Sequence, residues 1–186
     1  MTSNKLFVGL TGMAGSGKSI AVKTATQNGY DVVVMGDEVR GEAKRRGLTP
    51  TPENLGKIMQ ELRRLEGESA IARRCITRIN RFTSQKIVVD GIRSLSEVEE
   101  FEKSFPKFSL IAVHSSPETR FKRIYKRQRS DDPQDWQTFH ERDLRELSVG
   151  LGNVMAMAEY VIVNEGTRES AEAQARRVLK KVEKNG

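Results

Sequence analysis

Cysteine is nearly missing from this chain: Cys75 is the only one in 186 residues. No internal disulfide can form, and a reducing cytoplasm is the expected setting. Only two histidines occur, His114 and His140, far apart and without a cysteine cluster beside them, which argues against a structural zinc site. No apolar run reaches the roughly eighteen residues that a membrane-spanning helix requires, so no membrane partner is expected. The first apolar segment follows Met1 so closely that no secretory leader is expected either. Aromatic residues make up 6% of the chain and do not alternate with basic ones, as a base-stacking platform would require. Repeats, low-complexity tracts and long linkers are also absent. The length suits one domain, residues 1–186, with a substantial apolar core.

What the chain does have is positive charge. Lys and Arg number 32 against 25 Asp and Glu, a net charge of +7. Such a balance fits nucleic acid or a polyanionic small substrate. The basic residues concentrate in TRFKRIYKRQR, Thr119 to Arg129, where a solvated helix face is the bland alternative. Nucleotide phosphates are the favoured partner and nucleic acid the less favoured one.

The segment GMAGSGKS, Gly12 to Ser19, shows what would hold a phosphate. Its G-x-x-x-x-G-K-S spacing lets Gly12, Gly15 and Gly17 curl the backbone until several N–H groups aim at one anion. Met13, Ala14 and Ser16 complete the loop, Lys18 would reach the outer phosphates, and the Ser19 hydroxyl would join the shell of a magnesium ion. ATP with Mg²⁺ is the cofactor implied. The flanks agree, because LFVGL (Leu6 to Leu10) reads as a buried strand and Ser19 to Gln27 as a helix stopped at Asn28-Gly29.

Further strands are expected at Tyr30 to Gly36, Lys86 to Gly91, Phe108 to His114 and Glu159 to Asn164. Most lack polar alternation, the mark of parallel strands covered on both faces, so a three-layer α/β fold with a five-stranded parallel sheet follows. Two intervals exceed a simple crossover. In residues 37–84, Thr51-Pro52 starts a helix with Leu55, Ile58, Leu62 and Leu65 at helical spacing, and a second helix carries Ile71, Cys75 and Ile79. This reads as a helical acceptor-binding insertion. Residues 120–157, with a polar turn at Asp131-Asp132-Pro133, read as a short lid with flanking helices.

Charged residues gather at strand ends, where open α/β sheets bind ligands. Asp37 and Arg40 follow the second strand. Asp90 ends the third and can accept a hydrogen bond from magnesium-bound water, and Arg93 offers a planar fork for an acceptor phosphate. Arg127, Arg129, Arg142 and Arg145 lie in the lid, where arginines that arrive on closure would stabilise charge on a transferring phosphoryl group.

Taken in order, VGLTGMAGSGKS, VVMGDEVR, VVDGIRS, RSDD with a later ER, and EYVIVNEGT resemble the P-loop nucleoside and nucleotide kinases along essentially the whole chain. The resemblance is strongest to a largely archaeal family described as adenylate-kinase-related or dephospho-CoA-kinase-like. A P-loop NTPase fold is implied, with transfer of the ATP γ-phosphoryl group to a nucleotide-like acceptor.

The better-known relatives divide on that acceptor. Resemblance to adenylate kinases, carried by Arg40 and Arg93 and by Arg129, Asp131, Asp132 and Arg142, implies a nucleoside monophosphate held by arginines. Met35 stands where those kinases usually place a threonine, and DGIRS lacks their proline and is one residue shorter. Resemblance to dephospho-CoA kinases, in the phosphate loop and in the turn Asn164-Glu165-Gly166-Thr167, implies a ribose hydroxyl as acceptor, with Asp37 as base. An ionised acceptor phosphate needs positioning more than a base, and arginines in several separate elements favour it. Lys18, Arg129, Arg142 and Asp37 are thus the candidate catalytic residues, Arg40 and Arg93 the acceptor ligands, and Ser19 and Asp90 the metal-binding pair. The rival from another class is a nucleic-acid-linked regulatory ATPase that uses the basic helix as its docking surface.

Overall fold

The apolar runs become five strands that pair side by side, all parallel: β1 (Leu6–Thr11), β2 (Asp31–Val34), β3 (Lys86–Asp90), β4 (Lys107–His114) and β5 (Tyr160–Val163), in the order β2-β3-β1-β4-β5. The computed structural model describes residues 5–128 and 132–185. Strand side chains alternate between two cores. Phe7, Val33, Ile87, Val89 and Leu110 face one side, and Val8, Leu10, Val88, Ile111, Val113 and Ile162 the other.

The first face is covered by α2 (Met35–Arg45), α3 (Pro52–Glu66), α4 (Ala70–Ile79), α5 (Leu95–Ser104) and α8 (Leu151–Ala156). The second is covered by α1 (Lys18–Gln27) and α9 (Arg168–Asn185). After β4 come α6 (Pro117–Arg127) and α7 (Trp136–Ser148). Central β1 is the anchor: Phe7 is fully buried and stacks on Phe105 with ring centroids 4.3 Å apart and on Phe101 at 5.1 Å. Gly9 beside it has no side chain because an added Cβ would lie 2.5 Å from Ile92 Cδ1. That close approach seats the turn after β3 against β1.

Two details differ from the expected pattern. The second strand stops at Val34, and Met35 opens α2, so Asp37 and Arg40 lie on a helix rather than in a loop after a strand. The apolar run continued because Met35 is itself a buried helical position, and a short apolar run does not reveal where one period gives way to another. Leu65, expected on the core side, is 61% exposed; the last turn of α3 runs past the core that holds Ile58 and Leu62.

Helices α2, α3 and α4 share their core with the sheet, through Val39, Ala43, Ile58, Leu62, Ile71, Cys75 and Ile79. Burial pushes the Cys75 thiol up to about 12, so little thiolate forms there. On their outer side charge pins them together. Glu42 accepts hydrogen bonds from Arg45 and Arg46 on its own flank and from Arg74 of α4, while Arg46 also reaches Glu61 and Arg74 also reaches Glu66, both on α3. At the far edge of the sheet the Gln174 side-chain amide of α9 accepts from Val163 N (3.1 Å) and donates to Val163 O (2.9 Å), closing part of the β5 edge.

Phe7→Ala should cost about 3–5 kcal/mol by loss of burial and creation of a cavity, whereas Leu65→Ala should stay within about 0.5 kcal/mol; urea denaturation of both variants measures the contrast. The Glu42 carboxyl is held down at about 2, first by Arg45 and then by Arg46 and Arg74, so the folded state binds its proton more weakly than the unfolded chain. Its stabilisation is present above the ordinary glutamate range and is lost as pH falls through the folded value. Glu42→Gln is expected to cost about 1 kcal/mol near neutrality and to converge on the parent near pH 2, read from denaturation midpoints across the acid range.

Candidate active site

Between β1 and α1 the phosphate loop turns through left-handed conformations at Gly12 (φ 143°), Gly15 (φ 80°) and Gly17 (φ 91°). Side chains are excluded there as well. A Cβ on Gly12 would strike Val113 O, one on Gly15 would sit 2.8 Å from Arg120 O, and one on Gly17 would strike Asn164 Nδ2. At the start of α1 the N–H groups of Lys18 and Ser19 find no partner inside the helix and carry its positive dipole end, the local requirement for an anion site, while Ile20 N donates to Gly17 O at 2.9 Å.

The loop's carbonyl oxygens are held from outside. Lys18 Nζ donates to Gly12 O (2.5 Å) and Met13 O (3.3 Å), Arg120 Nη1 to Ala14 O (3.2 Å), and Asn164 Nδ2 and Ser115 Oγ to Ser16 O (2.9 and 3.2 Å). Arg123 braces the last two by donating to Ser115 Oγ and Asn164 O. Arg120 in turn is gripped by Asp143 of α7 through two bonds of 2.8 and 2.5 Å and lies over the Phe139 ring.

Opposite the loop, β3 ends in register with β1, Leu10 beside Asp90, and Leu10 O accepts from both Gly91 N and Ile92 N. Burial pushes the Asp90 carboxyl above its ordinary range, against the pull of Lys18 and Arg93. Burial likewise pulls Lys18 below the lysine range, opposed by Asp90, with Arg93, Glu146 and Arg120 as further charges acting on it. Among the described residues, Asp90 Oδ1 and Ser16 Oγ are buried without a hydrogen-bond partner. An unpartnered carboxylate oxygen beside a loop lysine fits a magnesium ion held through water. No cluster of three or more His, Cys, Asp or Glu able to hold a metal occurs among the described residues.

A family model described as an AAA domain matches residues 11–140. The UPF0200 protein of Hyperthermus butylicus is 46% identical over 184 residues, covering 99% of this chain and 98% of that protein. That of Staphylothermus marinus is 49% identical over 183 residues, covering 97% and 96%. The chain belongs to the UPF0200 family. Its fold is that of P-loop kinases. TT1252 from Thermus thermophilus superposes with a TM-score of 0.63 at 20% identity, covering 96% of this chain and 98% of that one. Shikimate kinase from Bacteroides thetaiotaomicron gives 0.62 at 15% with the same coverage. A gluconokinase from Sinorhizobium meliloti 1021 gives 0.55 at 16%, covering 100% and 99%.

In this UPF0200 chain the expected site residues fall into three groups. Lys18, Asp90 and Arg93 share one electrostatic neighbourhood at the mouth of the loop, with Ser19 exposed on the first turn of α1. Asp37 and Arg40 stand on α2 and pair with each other at 2.5 Å, and Arg40 also lines a cleft of about 480 Å³ with Lys44, Gly47, Leu48, Thr49 and Pro50. Arg127 grips the buried Asp132 carboxylate, and Arg142 of α7 lies 4.0 Å from the same group. Arg129 and Asp131 lie outside the described residues. Arg145 is exposed on α7.

Sequence reasoning missed Arg120, Ser115, Asp143, Glu97 and Glu146. Arg120 had a signal, since it shares a helical stripe with buried Ile124, where a cation implies a buried partner. Glu97 was legible as the fourth residue of a Ser94 capping box. It accepts from Arg93 N at 2.8 Å and from Arg63 Nη2 at 2.9 Å, fixing the backbone from which Arg93 projects.

Gly17→Ala tests the cradle. It meets both a strained φ and the Asn164 amide, so it is expected to cost about 1–3 kcal/mol and to abolish binding of a fluorescent ATP analogue. Calorimetric unfolding and equilibrium titration read the two effects separately.

Proposed function

We propose that this UPF0200 chain is a magnesium-dependent phosphotransferase that moves the γ-phosphoryl group of ATP to a nucleotide-like acceptor, most simply a nucleoside monophosphate. The observation that carries this reading is that Asp90 ends β3 beside Leu10, at the start of a phosphate loop braced by Lys18, Arg120, Ser115 and Asn164, with Arg93 three residues further on. A cation that reaches the donor and a guanidinium aimed from a separate element suit two phosphate-bearing substrates meeting end to end.

The backbone N–H groups of Gly12 to Ser19 would hold the donor phosphates. Lys18 would leave the Gly12 and Met13 carbonyls to neutralise charge on the outer phosphates. Ser19, and Asp90 through water, would hold a magnesium ion, which would supply charge neutralisation for the donor phosphates. Arg93 would hold the acceptor phosphate in line, and one of its oxygens would bond to the γ-phosphorus as the bond to the ADP oxygen breaks. No proton need be removed, because that oxygen is already ionised. Arg142 and Arg129 would approach from the lid and spread charge on the transferring group. Arg40, beside its cleft, would bind the rest of the acceptor within the helical insertion. A cytoplasmic setting goes with this reading.

A hydroxyl acceptor is the second reading, supported by the likeness to proteins named shikimate kinase and gluconokinase. Asp37, on the first turn of α2, would then take the proton. The nucleic-acid-linked ATPase has less to rest on, because Arg120 and Arg123 of the basic run are engaged with Asp143, Ser115 and Asn164 around the phosphate loop, although Lys122 and Lys126 stay exposed.

The deciding assay combines Mg·ATP with AMP, CMP, UMP, GMP, dTMP or dephospho-CoA and separates the products by chromatography. A phosphorylated nucleoside monophosphate is expected, with turnover lowered about 10²-fold or more by Lys18→Ala while circular dichroism shows an unchanged fold. Phosphorylation of dephospho-CoA alone would transfer the case to Asp37. ADP formation that responds to RNA but to no acceptor would sink the kinase reading.

A further inference from the structure

Helix α7 carries two acidic side chains one turn apart, Asp143 and Glu146, and they reach different walls of the site. Asp143 binds Arg120, the arginine that holds Ala14 of the phosphate loop; the two side chains are 9% and 4% exposed and share two hydrogen bonds. Glu146 binds Arg93 through a single bond of 3.1 Å, with side chains 17% and 43% exposed. The helix thus spans from the donor loop to the turn after β3. One end is locked in a buried bidentate pair, and the other rests on a half-open single contact.

Arg93 is free to exchange only at its tip. Its N–H and that of Ser94 are bound by the Glu97 carboxylate, which is itself tied to Arg63 of α3. Its guanidinium fork makes only one bond to Glu146, although a phosphate can engage it bidentately and more strongly. Arg93 lies three residues after Asp90, which ends β3 beside Leu10 at the start of the phosphate loop, so the pair stands close to that loop and not on a remote surface.

We propose that the Arg93–Glu146 pair is an acceptor gate, in which Glu146 serves as an internal carboxylate ligand for Arg93 and the phosphate of the acceptor displaces it, freeing the C-terminal part of α7. The gate rests on the phosphotransferase reading above and gives it a specificity: an acceptor without its own phosphate cannot displace the carboxylate. Asp143 remains bound to Arg120 throughout, so the freed helix turns about that pair, and its N-terminal end, which carries Trp136, shifts against Phe121.

The chain carries its own reporter. Trp136, its single tryptophan, opens α7 and meets the Phe121 ring edge-on at 5.3 Å. With Mg·ADP saturating the donor loop, the full chain and its Glu146→Gln and Arg93→Gln variants are titrated with AMP, inorganic phosphate and adenosine while Trp136 fluorescence is followed. AMP and phosphate are expected to change the signal in the parent and adenosine to leave it unchanged. Glu146→Gln should lower the half-saturating AMP concentration about two- to fivefold, the scale of one partly exposed ion pair, and Arg93→Gln should remove the response. A Glu146→Gln midpoint equal to the parent's or raised above it, or an adenosine response like that of AMP, would overturn the gate. Acceptor-dependent ADP formation separates the two ideas. Turnover with an acceptor KM that Glu146→Gln leaves unchanged keeps the kinase and removes the gate, whereas a lowered AMP midpoint without turnover of any acceptor keeps the gate and removes the kinase.

Discussion

A loop that aims its N–H groups at an anion turns its carbonyl oxygens the other way, and each of those oxygens needs a donor. Much of the architecture around Gly12 to Ser19 answers that need. Lys18 supplies Gly12 and Met13, Arg120 supplies Ala14, and Ser115 with Asn164 supplies Ser16. These donors come from α1, from α6, from the end of β4 and from the end of β5. The strand order β2-β3-β1-β4-β5 sets β4 and β5 beyond β1 on the side where these donors are required. Loop and sheet order are therefore one constraint.

The same arrangement separates a firm side of the site from an adjustable one. Helices α2, α3 and α4 share the sheet's apolar core and are cross-linked outside it through Glu42 and Arg74. Helix α7 is anchored near its start by Phe139, fully buried against Phe121, and beyond it reaches the site through polar contacts: Asp143 on Arg120, Glu146 on Arg93 and Arg142 near Asp132. Polar contacts can be exchanged for a ligand's groups, but a packed apolar core rearranges only at much greater cost. On the phosphotransferase reading, any adjustment would fall to the later part of α7 more than to α2, α3 and α4.

The strands were legible because burial on both faces leaves a continuous apolar run, and the phosphate loop because its glycines answer steric demands that no other residue meets. The end of β2 was not, since Met35 is equally apolar as a strand residue and as the first buried position of a helix. The partners Asp143 and Glu146 were not legible either. In a charged helix such as WQTFHERDLREL they look like solvated residues, and only the position of Arg120 and Arg93 across the fold distinguishes them. Asp37 and Arg40 were read as following the second strand, but their mutual ion pair depends on the helical spacing of α2, which the expected loop there did not contain.

The amide of Gln174, paired with both backbone groups of Val163, stands in for one residue of a sixth strand. A sheet ended in this way offers a second copy no uninterrupted backbone template at β5, although Val161 and Val163 leave apolar surface there. Self-association through that edge would first have to dislodge a side chain of the same chain. At Val163 the hydrogen bonds a neighbour would gain are already made, so this part of the β5 edge does not recruit a further copy into a growing sheet.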